Sequence, residues 1–193
     1  MSSPRKTIVV IGATGDQGGS VVDRLLQFPK TYKVRAITRT PESSAAEELR
    51  SKGVEVMFSD VNNPFSLEIL NPCLRDAYAI FAVTAYWPSF ETLGAQGAGE
   101  EELQQFKNMA KAANKVLVKG LKHFIISTQP SVEEMTNGRV EVPHLDFKAR
   151  AAKWIRQEYP ELWGITTEFW PTMYTQNFFD SPVLKPIELV SLS

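Results

Sequence analysis

His144 and Lys148 have the side chains best suited to proton transfer, and they lie four residues apart in the stretch HLDFKARAAKWI. Residues at this spacing share one face of a helix. A histidine exchanges protons near neutral pH, and a lysine donates hydrogen bonds as a cation, so the pair can serve acid–base chemistry. We predict His144 as a proton relay and Lys148 as a candidate residue of the same site. The alternatives are that Lys148 only binds a ligand and that His144, after Pro143, only starts the helix.

Three glycines with the spacing G-x-x-G-x-x-G follow the apolar run TIVVI and precede an apolar periodic segment. Gly12 suits a tight strand-to-helix turn, Gly15 lets the backbone approach a pyrophosphate, and Gly18 lets the helix pack closely on the sheet. Free amides at the helix start would then face the phosphates. The turn predicts a dinucleotide site, and no Gly-Lys-Ser/Thr follows as in a P-loop. An empty, tightly packed turn is the alternative. The predicted cofactor contacts here are Gly12, Thr14, Gly15, Asp16, Gln17 and Gly18.

The end of the second predicted strand, ITRTP, indicates which dinucleotide binds. It offers Thr38, Arg39 and Thr40 but no acidic residue to bind a ribose 2′-hydroxyl. A guanidinium matches a 2′-phosphate with two parallel hydrogen bonds. The predicted cofactor is therefore NADP(H) rather than NAD(H), with Arg39 as the discriminating contact. The alternative for Arg39 is a solvated surface arginine.

Further contacts are expected where later strands end. Val83 and Thr84 should line the adenosine and ribose side, and Asp60 could bind the adenine amino group or serve as a turn residue. Tyr86 and Trp87 either cover the cofactor or pack beneath a loop. The hydroxyls of Ser127 and Thr128 could bind a substrate carbonyl. Asp146 suits either the first turn of a helix or a catalytic base.

Strand-like and helix-like runs alternate along the chain, which predicts an α/β fold with a doubly wound parallel sheet of about six strands. Strands are predicted over 6–11, 32–38, 54–59, 77–83, 123–127 and 164–170, and helices over 17–28, 43–52, 64–70, 100–119 and 146–159. Two long loops, 84–99 and 128–143, follow strand ends, where open α/β sheets bind ligands. Loops of this length are usually functional or mobile.

Composition narrows the functional classes. The net charge of −1 gives no electrostatic case for nucleic acid or a membrane surface, and the start of the chain lacks a secretory apolar stretch. The single cysteine, Cys73, fits a reducing compartment, so we expect a cytoplasmic protein, with a nuclear location as the alternative. One cysteine and two histidines are too few residues to predict a zinc site. The carboxylate pairs Glu100/Glu102 and Glu133/Glu134 are interpreted as solvated charge.

The chain resembles the NmrA-like branch of the atypical short-chain dehydrogenases. The matching segments are GATGDQGGSVV (12–22), VRAITR (34–39), AYAIFAVTAYW (77–87) and HLDFKARAAKWI (144–155). The resemblance implies an NADP-binding Rossmann domain, here 1–170, and a smaller C-terminal lobe that closes over the nicotinamide. Ordinary short-chain dehydrogenases carry Tyr-x-x-x-Lys where this chain has His144-x-x-x-Lys148. In related reductases a lysine at this place acts as an acid or base or orients the cofactor, so the resemblance implies Lys148 as the main catalytic residue. We expect 171–193 to be a remnant of this lobe or a tail.

Two functions follow from the resemblance and the residues together. One is an NADPH-dependent oxidoreductase acting on a small carbonyl-type metabolite, with Lys148 at the nicotinamide ribose. The other is a non-catalytic NADP(H)-sensing regulator that binds a protein partner. A non-binding fragment with a vestigial turn is the third alternative. Exposure of Phe178, Phe179 and Leu184 would indicate a covering partner or self-association as a homodimer.

Overall fold

Six parallel strands form one sheet in the computed structural model, which describes residues 4–62, 66–175 and 177–180. The strands are β1 (Lys6–Ile11), β2 (Tyr32–Thr38), β3 (Glu55–Phe58), β4 (Ala77–Ala82), β5 (His123–Ser127) and β6 (Thr166–Phe169). Their order across the sheet is β3-β2-β1-β4-β5-β6, and all neighbours run parallel. The predicted doubly wound α/β fold is confirmed.

Helices cover both faces of this sheet. They are α1 (Asp16–Leu26), α2 (Ser44–Ser51), α3 (Ser66–Cys73), α4 (Trp87–Leu117), α5 (Val132–Met135), α6 (Pro143–Glu158), α7 (Pro160–Trp163) and α8 (Asn177–Asp180). Alternate strand residues enter two separate cores: Val9 and Ile80 pack with helices α3, α4 and α6, whereas Val10 and Phe81 pack with helices α1 and α2. Burial on both faces explains why these strands read as continuous apolar runs.

The chain leaves β1 toward β2 on one side, and β4 lies on the other side of β1. The connections therefore diverge beyond the carboxyl ends of β1 and β4. In an open α/β sheet, such a switch point leaves a crevice where ligands bind. The glycine turn lies at this point because it directly follows β1.

The predicted loop over 84–99 is wrong, because α4 begins at Trp87 and continues to Leu117. Pro88 suits the first turn of a helix, where its missing N–H costs nothing. A break at Gly94, with φ of 67°, divides α4 into two helical parts. Three glycines suggested a loop, but packing of the second part against α6 overrides their low helix propensity.

Smaller differences affect the other predicted elements. The expected loop over 128–143 contains the short helix α5, and α6 begins at Pro143 rather than at residue 146. Residues 64 and 65, the predicted start of the third helix, lie outside the described residues. In the predicted tail, Phe178 and Phe179 are exposed, whereas Leu184 falls outside the described part of the chain. No helix of the described ranges combines the length and the apolar content needed to cross a bilayer.

The close packing of α4 on α6 depends on Gly99. A Cβ at this position would overlap the ring of Phe147, which is itself almost completely buried. The two helix backbones can therefore approach at this turn only if one of them lacks a side chain. This approach sets the distance between α4 and the residues that follow Phe147 on α6.

Replacing Gly99 with Ala should overpack this contact and lower the free energy of unfolding by about 1–3 kcal/mol, measured by urea denaturation. Gly19→Ala is the matched control, because a methyl there meets its nearest neighbour, the Ala13 carbonyl oxygen, at 3.6 Å. The control should be as stable as the parent protein or slightly more stable. Equal stability of the two variants would contradict the close approach of α4 and α6.

Candidate functional site

A cleft of about 1050 Å³ lies at the carboxyl edge of the sheet, at the switch point between β1 and β4. It brings together residues from both ends of the chain. The predicted site residues that line it are Gly12, Thr14, Gly15, Asp16, Gln17, Gly18, Arg39, Val83, Thr84, His144 and Lys148. Asp60 is the predicted site residue that lies outside this lining.

The glycine turn forms the floor of the cleft and has the geometry of a phosphate cradle. Gly12 has a φ of 79°, and the amide of Gly15 donates to the Gly12 carbonyl oxygen at 3.1 Å. A Cβ on Gly18 would overlap the Gly12 backbone, so α1 can start this close to β1 only with glycine there. The N-cap residue of α1, Gly15, has no side chain to cover the helix start. First-turn amides with a favourable helix dipole suit an anionic group.

Arg39 lies directly after β2, exposed and at one end of the cleft lining. Among the lining residues that the structure describes, the full cations are Arg39 and Lys148, and the carboxylate is Asp16. No acidic residue lies next to Arg39 in the lining to bind a ribose 2′-hydroxyl. This electrostatic arrangement favours a ligand with phosphate groups at the Arg39 end.

Ser59 and Asn62, which the sequence analysis did not single out, also line the cleft after β3. The hydroxyl oxygen of Ser59 and the Oδ1 atom of Asn62 are buried and have no hydrogen-bond partner among the described residues. Buried polar atoms without partners indicate a missing ligand or solvent. Asp60 instead accepts a hydrogen bond from the Asn62 amide at 3.0 Å, as in its alternative role as a turn residue. Polar atoms at this end fit a nucleotide base.

At the other end of the cleft, a chain of hydrogen bonds joins α1 to the residues after β6. The buried Ser127 hydroxyl donates to Gln17 Oε1 at 2.7 Å, and Gln17 Nε2 donates to the Tyr174 hydroxyl at 2.5 Å. Both Ser127 and Tyr174 line the cleft. Thr128 does not, because its hydroxyl donates to Glu168 at 2.9 Å. Ser127 therefore lies at the cleft and Thr128 does not, and the Ser127 hydroxyl proton is directed at Gln17.

Lys148 lies on α6 and forms an ion pair with Glu102 of α4. Glu102 is 0% exposed, and its Oε1 atom also accepts a hydrogen bond from the Thr84 hydroxyl at 2.7 Å. The prediction that Glu100 and Glu102 are both solvated is therefore wrong for Glu102. Two residues apart on a helix, they point in different directions, so Glu100 is exposed while Glu102 faces α6. Only the position of α6, which the sequence did not reveal, gives Glu102 its partner.

His144 is half-buried beside aromatic rings at the edge of the cleft. Its ring lies 5.3 Å from that of Trp87 and 5.9 Å from that of Tyr86, centre to centre. Burial lowers the pKa of His144 below its ordinary value, and the nearby Lys148 cation lowers it further, against a smaller opposite effect of Glu102. The shift favours the neutral imidazole, which is the form that can accept a proton.

Two further predicted residues have structural roles. Tyr86 is almost completely buried and donates to the Ala95 carbonyl oxygen at 3.0 Å, although it also lines the cleft, and Trp87 lines the cleft while 63% exposed. Asp146 is buried and accepts hydrogen bonds from the amides of Val142 and Glu133. Burial alone would raise the pKa of Asp146, but these hydrogen bonds outweigh it and lower the pKa below its ordinary value. Asp146 therefore anchors the segment before α6 and is not a base facing the cleft.

Replacing Lys148 with Met should raise the pKa of His144, because it removes a positive charge that disfavours the imidazolium. The burial that lowers this pKa remains in the variant. The measurement is a pH titration of the histidine ring signals by NMR, with His123 as the internal reference. Lys153→Met is the control, since Lys153 lies on the exposed side of α6 and pairs with Glu134. An unchanged or lower pKa of His144 in the Lys148 variant would contradict the described geometry.

Comparison with known proteins places this chain in a family. A model of the NmrA-like family matches residues 4–189. An NmrA-like family domain-containing protein of Dictyostelium discoideum is 33% identical over 178 residues, which cover 91% of this chain and 53% of that protein. The NmrA-like family domain-containing oxidoreductase FrzB of Cladobotryum sp is also 33% identical over 178 residues, covering 91% and 49%. The chain spans about half the length of the curated relatives it matches.

Solved structures share the fold at low identity. The NADPH-dependent quinone oxidoreductase of Escherichia coli, in complex with NADPH, has a TM-score of 0.64 at 18% identity, covering 89% of this chain and 51% of that one. Vestitone reductase of alfalfa has a TM-score of 0.61 at 18% identity, covering 85% and 56%. The family match over most of the sequence, together with the parallel sheet and its glycine turn, shows that the chain belongs to the NmrA-like family.

Proposed function

We propose that this chain binds NADP(H) in the switch-point cleft and takes part in the NADPH-dependent reduction of a small carbonyl-type metabolite. The observation that carries the proposal is that one cleft holds both the phosphate cradle after β1 and the Lys148 ammonium of α6. A cofactor that spans the cleft from Arg39 would bring its far end to Ser127, His144 and Lys148. The descriptions of similar proteins support the proposal, since FrzB is described as an oxidoreductase and the Escherichia coli enzyme as NADPH-dependent.

Each part of the cleft has a distinct role in holding the cofactor. The α1 amides and Gly15 would bind the pyrophosphate, and Arg39 would pair with the 2′-phosphate, which favours NADP(H) over NAD(H). The buried Ser59 and Asn62 oxygens would gain partners from the base. Val83 and Thr84 would lie along the adenosine and ribose.

The reaction needs a hydride, which NADPH supplies when bound, and a proton for the carbonyl oxygen. Lys148 can donate that proton or bind the ribose hydroxyls, because its ammonium has three N–H groups and Glu102 occupies one. Ser127 can orient the carbonyl only when its single O–H, which donates to Gln17 in this structure, turns from Gln17 to the carbonyl oxygen. The neutral His144 at the edge of the cleft can pass a proton between solvent and Lys148.

A second function, NADP(H) sensing without turnover, has an observation of its own. Trp87 and Pro88 line the cleft from the first part of α4, which the Gly94 break separates from the rest of the helix. The same part exposes Phe90 and Leu93. A nucleotide that contacts Trp87 would favour one orientation of this segment and so alter an apolar surface that a protein partner or a second copy of the chain could bind.

Substituting Lys148 with Ala separates the two functions. In the oxidoreductase, Lys148→Ala should lower kcat about 100-fold or more, because the proton donor is lost. Consumption of NADPH with a panel of carbonyl compounds and quinones is the measurement. Lys153→Ala, which removes an exposed lysine from the same helix, should keep the parent activity.

Equal turnover in the two lysine variants would contradict the proposed role of Lys148. A parent protein that binds NADPH without consuming it would favour the sensor. In that case NADPH should change the rate of proteolytic cleavage within residues 84–99.

A further inference from the structure

The buried carboxylate of Glu102 has an unusual environment for a charged group. Its Oε1 atom accepts from both Lys148 and Thr84, while its Oε2 atom is buried and lacks a partner in the part of the chain that the structure describes. A carboxylate removed from water is strongly disfavoured unless a cation compensates it. Lys148 is that cation, and its side chain is only 16% exposed. The two charges are therefore interdependent.

We propose that Glu102 is a positioning residue, which holds the Lys148 ammonium at the cleft in one orientation. The proposal rests on the proposed role of Lys148. Glu102 does not itself line the cleft, whereas Lys148 does, so Glu102 acts on a ligand only through the lysine. A lysine side chain has four rotatable methylene groups and holds no fixed direction alone. With one N–H on Glu102, the remaining N–H groups are left for the cleft.

The surrounding packing keeps the carboxylate in place. Gly99 lies one helical turn before Glu102 and allows the Phe147 ring, next to Lys148, to contact α4. One turn after Glu102, the side chain of Gln105 accepts from the Ala85 amide at 3.1 Å. The same face of α4 thus fastens the end of β4 and the start of α6 around one carboxylate. A structural contact alone would not require a charge at its centre, and replacing buried ion pairs by apolar groups often preserves stability.

Glu102→Gln tests the proposal, because the amide keeps the shape and an acceptor for Thr84 but removes the charge. Glu100→Gln is the matched control, since Glu100 is exposed on the same helix. The first readout needs no activity: brief acylation with an N-hydroxysuccinimide ester, then mass spectrometry of the Lys148 peptide relative to the exposed Lys153 in the same molecule. We expect several-fold faster acylation of Lys148 in Glu102→Gln and the parent rate in Glu100→Gln.

The second readout separates positioning from stability. In Glu102→Gln, kcat for NADPH consumption should fall about 10-fold to 100-fold, because a misdirected ammonium no longer reaches the reacting group. The KM for NADPH should change much less, since the cradle and Arg39 are untouched. Glu102→Asp keeps the charge on a shorter side chain and should recover part of the lost kcat.

Three outcomes would overturn the proposal. One is an unchanged Lys148 acylation rate in Glu102→Gln. Another is a lower melting temperature with unchanged acylation and kcat, which would make Glu102 purely structural. If Glu102→Gln fails to fold, Glu102→Asp becomes the test variant. A Lys148 acylation rate and a kcat equal to those of the parent protein in Glu102→Asp would then refute the positioning role of Glu102. Absence of NADPH binding by the parent protein would refute the proposed function, while the acylation readout still judges the Glu102–Lys148 contact.

Discussion

The contact between the start of α1 and the end of β1 is the constraint on which the rest of the cleft depends. Gly18 meets the backbone of Gly12 so closely that any side chain would overlap it. This contact directs the first turn of α1 toward the point where the chain paths around β1 and β4 diverge. The positive end of the helix dipole and the free amides then face the same crevice. Without this contact, the cleft would have no anion-binding floor.

A second close approach, between α4 and α6, positions Lys148 at the cleft. Gly99 lets the Phe147 ring contact α4, and the same approach brings Glu102 against Lys148. The two contacts lie on different elements, yet both place a charge-binding group at the carboxyl edge of the sheet. The glycine turn and Lys148, the two parts of the proposed site, are thus positioned by two contacts that depend on glycine. The exposed part of α4 before Gly94 contributes to the wall of the cleft without being tied to either contact.

The parts of the fold that local sequence determines were predictable. Strands β1, β2 and β5 match their predicted limits, because short runs rich in β-branched and apolar residues between turn residues are a local signal. The glycine turn was also predictable, since its spacing after a strand is a local signal. The helix over residues 87–99 was not, because its three glycines have low helix propensity and the contact of Gly99 with α6 is not visible in the local sequence.

Long-range partners explain what the sequence could not show in the site. Glu102 looked like its neighbour Glu100, and only the arrival of α6 from a distant part of the chain makes it a buried partner of Lys148. Tyr174 meets Gln17 across most of the sequence, with no shared motif to connect them. The buried oxygens of Ser59 and Asn62, which have no hydrogen-bond partner in the described part of the chain, could likewise be identified only once the folded structure was known.

The central claim is that this cleft binds NADP(H) and distinguishes it through Arg39. Calorimetric titration of the parent protein and of Arg39→Ser with NADPH and with NADH tests it most directly. Arg75→Ser is the control, since Arg75 lies before β4, at the opposite edge of the sheet. The parent should bind NADPH more tightly than NADH, and Arg39→Ser should lose about 1.5–3 kcal/mol of NADPH binding while its NADH affinity stays unchanged. Equal affinity of the parent for both nucleotides, or binding of neither, would contradict the account.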